Sequence, residues 1–261
     1  MGRMGKVLPA PARGPRRRRP RHVATMRRAG QVVAEILERL SAAARPGAST
    51  ASLEHLARQI LDEREATANF AGYNGYPAAI CTSVNDVVAH GLPGPYRLVE
   101  GDIVSLDCGA AVAGFHADAS VTVAVGAASA DATRLIDATR ACLAGAIAVM
   151  EAGRHLHEVG RTIQSVAAAA GLTVVPEYAG HAIGRALHED PKVFNYWPGY
   201  PGPVLEPGMV FAVEPMLSAG SPATRVHDDG WSVVTGDGAL AAHFGHNVVI
   251  TADGPEILTR P

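Results

Sequence analysis

Nothing in this 261-residue chain approaches the run of roughly 18 apolar residues that a membrane-spanning helix needs. The N-terminus also lacks the apolar core of a secretory signal. Both absences predict a soluble protein that is neither inserted in a membrane nor exported. Cysteine is scarce: Cys81, Cys108 and Cys142 are odd in number and far apart. They make no disulfide framework, and a reducing cytoplasm suits them. There is no G-x-G-x-x-G after a strand, no P-loop and no G-x-S-x-G elbow, which argues against nucleotide binding and serine hydrolysis.

Acid is missing from the first 34 residues, where ten of the 23 Lys and Arg lie; the first carboxylate is Glu35. The remainder holds 13 basic against 25 acidic residues, a formal balance of −12. The stretch LPAPARGPRRRRPRH has almost nothing to bury. Residues 1–22 are therefore expected to form a disordered basic leader, and residues 23–261 a single domain. The leader's charge suits a weak contact with RNA or ribosome phosphates. A solvated extension without specific use explains it more simply. The chain is expected to be a monomer.

What is present is a globular composition, 48% hydrophobic, long enough for one large domain or two fused halves. Val32, Val33, Ile36, Leu37 and Leu40 recur at helical spacing and predict a helix over 26–44. Thr50 or Ser52 can cap a second helix reaching residue 66. Strands are predicted at 80–84 and 87–90. Two further helices are predicted, 131–153 ended by Gly153 and 155–171 ended by Gly171. Strands follow at 173–175, 209–215, 231–235 and 242–251. Two helices before strands, twice over, predict α+β architecture with helices outside a curved, largely antiparallel sheet.

The segment GDIVSLDCGAAVAGFHADASVTV reads as two strands, 103–111 and 114–123, turning near Val112-Ala113. That register sets Asp107 directly opposite Asp118. Opposed cross-strand Cβ atoms lie about 4.5–5.5 Å apart, and like charges there are destabilising. A shared proton or a bound cation resolves such a conflict. A cation is favoured here, because His181 in EYAGHAIGRALHEDPKV and Glu214 in GMVFAVEPM supply further ligands. Three carboxylates and one imidazole suit Mn²⁺, Fe²⁺, Co²⁺ or Zn²⁺ in a hydrolytic centre. Two ions, where present, would lie about 3.5–4 Å apart.

The motifs SVNDVVAHGLP, GDIVSLDCG with GFHADAS, GHAIGRALHEDP and GMVFAVEPM resemble those of the type I methionine aminopeptidases, which have the pita-bread fold. The resemblance runs from Met26 to Thr259. It implies that Asp107 holds one ion, Asp118 bridges, and His181 and Glu214 hold the other. Glu214 would also move the proton of the attacking water. His188 would stabilise the oxyanion and His90 would contact the scissile peptide. Tyr73, Tyr76, Cys81 and Trp231, with Phe70 and Leu187, would wrap the methionine side chain. Aromatic rings suit a thioether, each S···aromatic contact being worth about 0.3–1.5 kcal/mol.

The chain departs from the family at one ligand. Where the family carries a bridging glutamate before a histidine, LAAHFGHNVVIT has Gly245. His243 lies two residues back on the same face of the predicted strand and is the candidate compensating ligand; His246 faces the other way. Three states follow: one ion held by Asp118, His181 and Glu214; two ions, the second weakly held with help from His243 or water; or a metal-free relative. The implied function is removal of N-terminal methionine ahead of a small second residue. The alternatives are an impaired relative that binds peptide N-termini or a partner, and a same-fold hydrolase with another substrate.

Overall fold

The computed structural model describes residues 15–260. Helix α1 spans Pro20–Ala43. Proline at its first turn costs no hydrogen bond, since that N–H has no helical partner. Order thus begins earlier than the boundary expected at residue 23. Residues 1–14 of the basic leader lie outside the described residues, but Arg16–Arg19 are placed, and the side chain of Arg18 is buried. A charge run read from sequence looks solvated; this one has a carboxylate to meet.

Helix α2 spans Thr50–Glu63. Its cap is Ser49, whose Oγ accepts from Ser52 N at 3.1 Å, and not Thr50 or Ser52. The Thr50 hydroxyl instead accepts from Gly94 N at 2.8 Å. Helix α3 spans Ala130–Ala148 and is capped by Ser129, while α4 spans Glu158–Ala169. The predicted run of α3 to Gly153 fails. Backbone bonds from Gly153 to Leu205, Leu156 to Pro203 and His157 to Pro201 tie that stretch to a distant loop, and tertiary pairing overrides helix propensity.

Every strand pairing is antiparallel. Helices α1 and α2 bury Val33, Ile36, Leu40, Leu53 and Ile60 against the sheet of Ile80–Val84, Ile103–Val112 and Phe115–Ala124. Helices α3 and α4 bury Leu135, Leu143, Val159 and Ile163 against Phe211, Val213, Leu217 and Val248. The second half contains a five-stranded sheet running Gly254–Ile257, His246–Thr251, Val210–Val213, Gly180–Ala182 and Glu189–Val193. Two bonds across a single bridge, Ser120 N to Gly245 O (3.2 Å) and Gly245 N to Ser120 O (2.9 Å), join the halves.

The central hairpin turns one residue later than expected. Ala113 (φ 49°) and Gly114 (φ 70°) are both left-handed, which is the two-residue turn that matches strand twist. Val112 then pairs with Phe115, Asp107 with Ser120, and Asp118 with Gly109. The two aspartates are therefore diagonal neighbours on one face, not directly opposed. Direct like-charge opposition is relieved by the register itself.

Two predicted strands are interrupted at the site. The 209–215 strand ends at Val213, and Met216–Ser218 joins another sheet after Glu214-Pro215. The 242–251 strand divides into Ala241–His243 and His246–Thr251, with Phe244-Gly245 between them. His243 pairs with Met216 and His246 with Val213, in different sheets.

Candidate active site

The two halves meet around a cavity of about 330 Å³. Every candidate site residue read from sequence lines it: Phe70, Tyr73, Tyr76, Cys81, His90, Asp107, Asp118, His181, Leu187, His188, Glu214, Trp231 and His243.

At its floor, ligand atoms of Asp118, His181 and Glu214 lie within 4.8 Å of one another. His181 Nε2 is 3.4 Å from both Asp118 Oδ2 and Glu214 Oε1. His181 Nδ1 is 3.1 Å from the carbonyl of Ala182. A carbonyl only accepts, so Nδ1 carries a proton, and Nε2 is the atom turned toward the two carboxylates, able to donate to them when protonated or to bind a cation when not. Three acceptors converging this way repel unless a cation or proton lies among them. This donor set fits one divalent ion with an open coordination position.

The charges report the same conflict. Burial opposes charge on His181, yet the Glu214 and Asp118 carboxylates raise its pKa well above an ordinary imidazole. Burial would raise Asp118, but the hydrogen bond and charge of His181, with the Asn247 amide, hold it below the usual carboxylate value. Burial pushes Glu214 up against the pull of His181. Asp107 is raised well above its ordinary value by burial and then by Glu214 and Asp118.

Asn247 escaped the sequence reading. Its Nδ2 donates to Asp118 Oδ1 at 2.6 Å, and its Oδ1 accepts from Asp118 N at 2.9 Å. The amide grips Asp118 from both ends and leaves Oδ2 facing His181. The available signal was position, since Asn247 lies two residues beyond Gly245. Asn195, also missed, is fully buried and donates to the carbonyl of Glu214 at 2.8 Å.

The opposite side of the floor is poor in contacts. A Cβ at Gly245 would lie 2.8 Å from Ser120 Oγ and 3.3 Å from Glu214 Cγ. The volume expected to be vacant there is thus partly filled by the Ser120 hydroxyl. Both Ser120 Oγ and His243 Nε2 are buried without a hydrogen-bond partner. Among the described residues, neither His243 nor Asp107 joins the close ligand group. Burial, then the charge of His90, lowers the His243 pKa to about 3, so it is a neutral imidazole.

Above the floor, His188 and His181 have ring centroids 4.2 Å apart. His188 Nδ1 lies 2.7 Å from the Tyr73 hydroxyl. Burial, then the charge of His181, lowers the His188 pKa to about 4. His90 is left-handed at φ 58°, a conformation that costs a non-glycine residue about 1–3 kcal/mol. It meets Tyr178 edge to face, with centroids 5.5 Å apart.

The apolar end is built by Tyr76, Cys81, Leu187, Phe70 and Trp231. Tyr76 and Trp231 pack edge to face at 5.2 Å. The Tyr76 hydroxyl lies 3.1 Å from the carbonyls of both Ile80 and Gly91, so its ring serves as a fixed wall. Cys81 and Leu187 are 3% and 2% exposed, and burial pushes the Cys81 thiol well up. It is a packing group and not a nucleophile.

An antiparallel α+β fold whose paired strands bring carboxylates and an imidazole to one cavity defines a metal-dependent peptidase, and the family comparison agrees. Residues 24–252 match the model of metallopeptidase family M24, and the chain belongs to that family. Within it, the chain groups with the type I methionine aminopeptidases. It is 46% identical over 241 residues to methionine aminopeptidase 1 of Mycobacterium tuberculosis, covering 90% of this chain and 91% of that one. It is 44% identical over 234 residues to the methionine aminopeptidase of Clostridium perfringens, covering 90% and 94%. The crystal structure of methionine aminopeptidase from Thermotoga maritima superposes with a TM-score of 0.92 at 40% identity, covering 95% of this chain and all of that one. An Xaa-Pro dipeptidase from Bacillus anthracis, 21% identical with a TM-score of 0.75, shares the fold. No helix among the described residues is long and apolar enough to cross a membrane.

Proposed function

We propose that this protein removes the N-terminal methionine of peptides whose second residue is small, using one divalent ion held by Asp118, His181 and Glu214. The observation that carries this reading is the convergence of those three ligands within 4.8 Å at the floor of a cavity whose other end is apolar and aromatic. A divalent ion there supplies a Lewis acid that activates water at neutral pH.

The remaining chemistry belongs to the chain. Tyr76, Cys81, Leu187, Phe70 and Trp231 take the thioether side chain and exclude water from it. Asp107, outside the ligand group, offers its carboxylate to the free α-ammonium of the peptide, which restricts the site to chain ends. Glu214 accepts the proton of the attacking water and passes it toward the leaving nitrogen. His188, oriented by the Tyr73 hydroxyl, donates to the carbonyl oxygen as negative charge grows. His90, held in a strained backbone, contacts the scissile peptide on its leaving side.

One ion is preferred to two for three reasons. Gly245 offers no donor, Asn247 occupies Asp118 Oδ1, and His243 lies outside the ligand group. His243 as a compensating ligand would require the floor to rearrange. Mn²⁺, Fe²⁺, Co²⁺ and Zn²⁺ all suit the oxygen-rich donors, and the ligand set does not choose among them.

The test is release of methionine from Met-Ala-Ser by the purified protein with each metal in turn. Release that disappears in His181→Ala supports the reading. Absence of release with every metal, together with absence of bound metal, would leave a peptide-binding relative in its place.

A further inference from the structure

The basic tract ahead of α1 reaches the catalytic loop. Arg16, Arg17 and Arg19 are exposed, but the Arg18 side chain is only 7% exposed. Its guanidinium pairs with the Glu189 carboxylate, and Nη2 lies 3.4 Å from the carbonyl of Ile183. Glu189 uses its other oxygen, Oε1, to accept from Arg185 N (2.9 Å) and Ala186 N (3.2 Å). One carboxylate therefore ties two amides of the 183–189 loop to an arginine from the other end of the chain.

That loop carries Leu187 into the apolar pocket and His188 over the ligand cluster. Two glycines make room for the tether. A Cβ at Gly184 would lie 2.1 Å from Arg18 Nη2, and one at Gly208 would lie 2.8 Å from the carbonyl oxygen of Arg18. Arg18 N also donates to the carbonyl of Gly208 at 2.6 Å. The fit is specific to position 18, since its exposed neighbours make no such enclosed contact.

We propose that Arg18 is a positioning residue: through Glu189 it holds the 183–189 loop so that His188 faces the scissile peptide. The proposal rests on the role given to His188 above. Lysine keeps the charge and can still donate to Glu189, though without the planar fork, whereas glutamine leaves the Glu189 charge without its partner.

The test is a cycle of kcat measurements on the metal-loaded enzyme with Arg18→Gln, His188→Ala and the pair, and with Arg18→Lys as the conservative variant. Arg18→Gln is expected to lower kcat by about 10- to 100-fold, the scale of a small misplacement of a catalytic group. Arg18→Lys recovers most of this loss. In the His188→Ala background, Arg18→Gln has no further effect. Should Arg18→Gln not fold, Arg18→Gln with Glu189→Gln leaves no unpaired buried charge and carries the same expectation. Losses from Arg18→Gln and His188→Ala that multiply, or an Arg18→Gln enzyme as fast as the parent, overturn the proposal. A His188→Ala enzyme as fast as the parent would remove the role of His188 and with it that of Arg18, an outcome distinct from the other two.

Discussion

The two sides of the cavity floor are built to different standards. On one side Asp118 is gripped twice by Asn247, Glu214 is held through its carbonyl by Asn195, and His181 is fixed by the carbonyl of Ala182. On the other, Ser120 Oγ and His243 Nε2 are buried without partners, and Gly245 contributes no side chain. A buried polar atom left unpaired costs about 1–3 kcal/mol, so the second side is the weaker by construction. The lesson is that a ligand centre is defined by the groups that hold its ligands. Asp107 and Asp118 lie on one strand face of one hairpin, yet only Asp118 is tied into a close ligand group.

The contrast can be broken at several points. Removal of a ligand from the dense side should have the largest effect. His181→Ala is expected to lower kcat by about 10³-fold or more, since a Lewis acid is worth several kcal/mol, and to abolish metal binding in equilibrium dialysis. Asn247→Ala should leave every ligand in place and weaken metal affinity by about 10- to 100-fold, as loss of an outer partner does; affinity unchanged in a metal titration would show that Asp118 needs no clamp.

The sparse side should reveal itself in acid. The His243 pKa is lowered to about 3 by burial, below the unfolded value of about 6.5. Its stabilising contribution is therefore present above pH 6.5 and is lost as pH falls toward 3. Moving from pH 7 to pH 5 should cost about 2 kcal/mol through this group. His243→Gln should flatten that part of the urea-denaturation profile, and an unchanged slope would deny His243 the role.

A modest effect on stability is expected from filling the gap. Gly245 shows no left-handed backbone, so Gly245→Glu is resisted by Ser120 Oγ, 2.8 Å from the new Cβ, and by Glu214 Cγ at 3.3 Å. In the metal-loaded protein, where a cation offsets the added carboxylate, a turn of that hydroxyl and a small shift of Glu214 should keep the packing cost at about 1–3 kcal/mol, and elemental analysis should show bound metal rising from one ion toward two. Higher activity in that variant would mark the glycine as a lesion, and lower activity as an adaptation to another substrate.

Much of the site was legible because its residue types are costly to place without a reason. Two aspartates facing across paired strands, with a histidine and a further carboxylate elsewhere in the chain, pointed to a cation, and the helix–helix–sheet repeat pointed to the architecture. The hairpin register was not legible, because alanine rarely takes φ above zero and Ala113 does so here beside Gly114. The break at Phe244-Gly245 was hidden by an apolar run that reads as one continuous strand. Asn247 and Arg18 were missed for a common reason. Each is ordinary by composition, and only a partner more than a hundred residues away, Asp118 for one and Glu189 for the other, gives it a role.

The central claim is that the centre is built for one ion on the side of Asp118, His181 and Glu214. Calorimetric titration of the metal-free protein with Mn²⁺, checked by elemental analysis after dialysis, tests it directly. The account predicts one tightly bound ion per chain, lost in His181→Ala and retained in Asp107→Asn. Two tightly bound ions per chain, or an ion that departs with Asp107→Asn and survives His181→Ala, would contradict it.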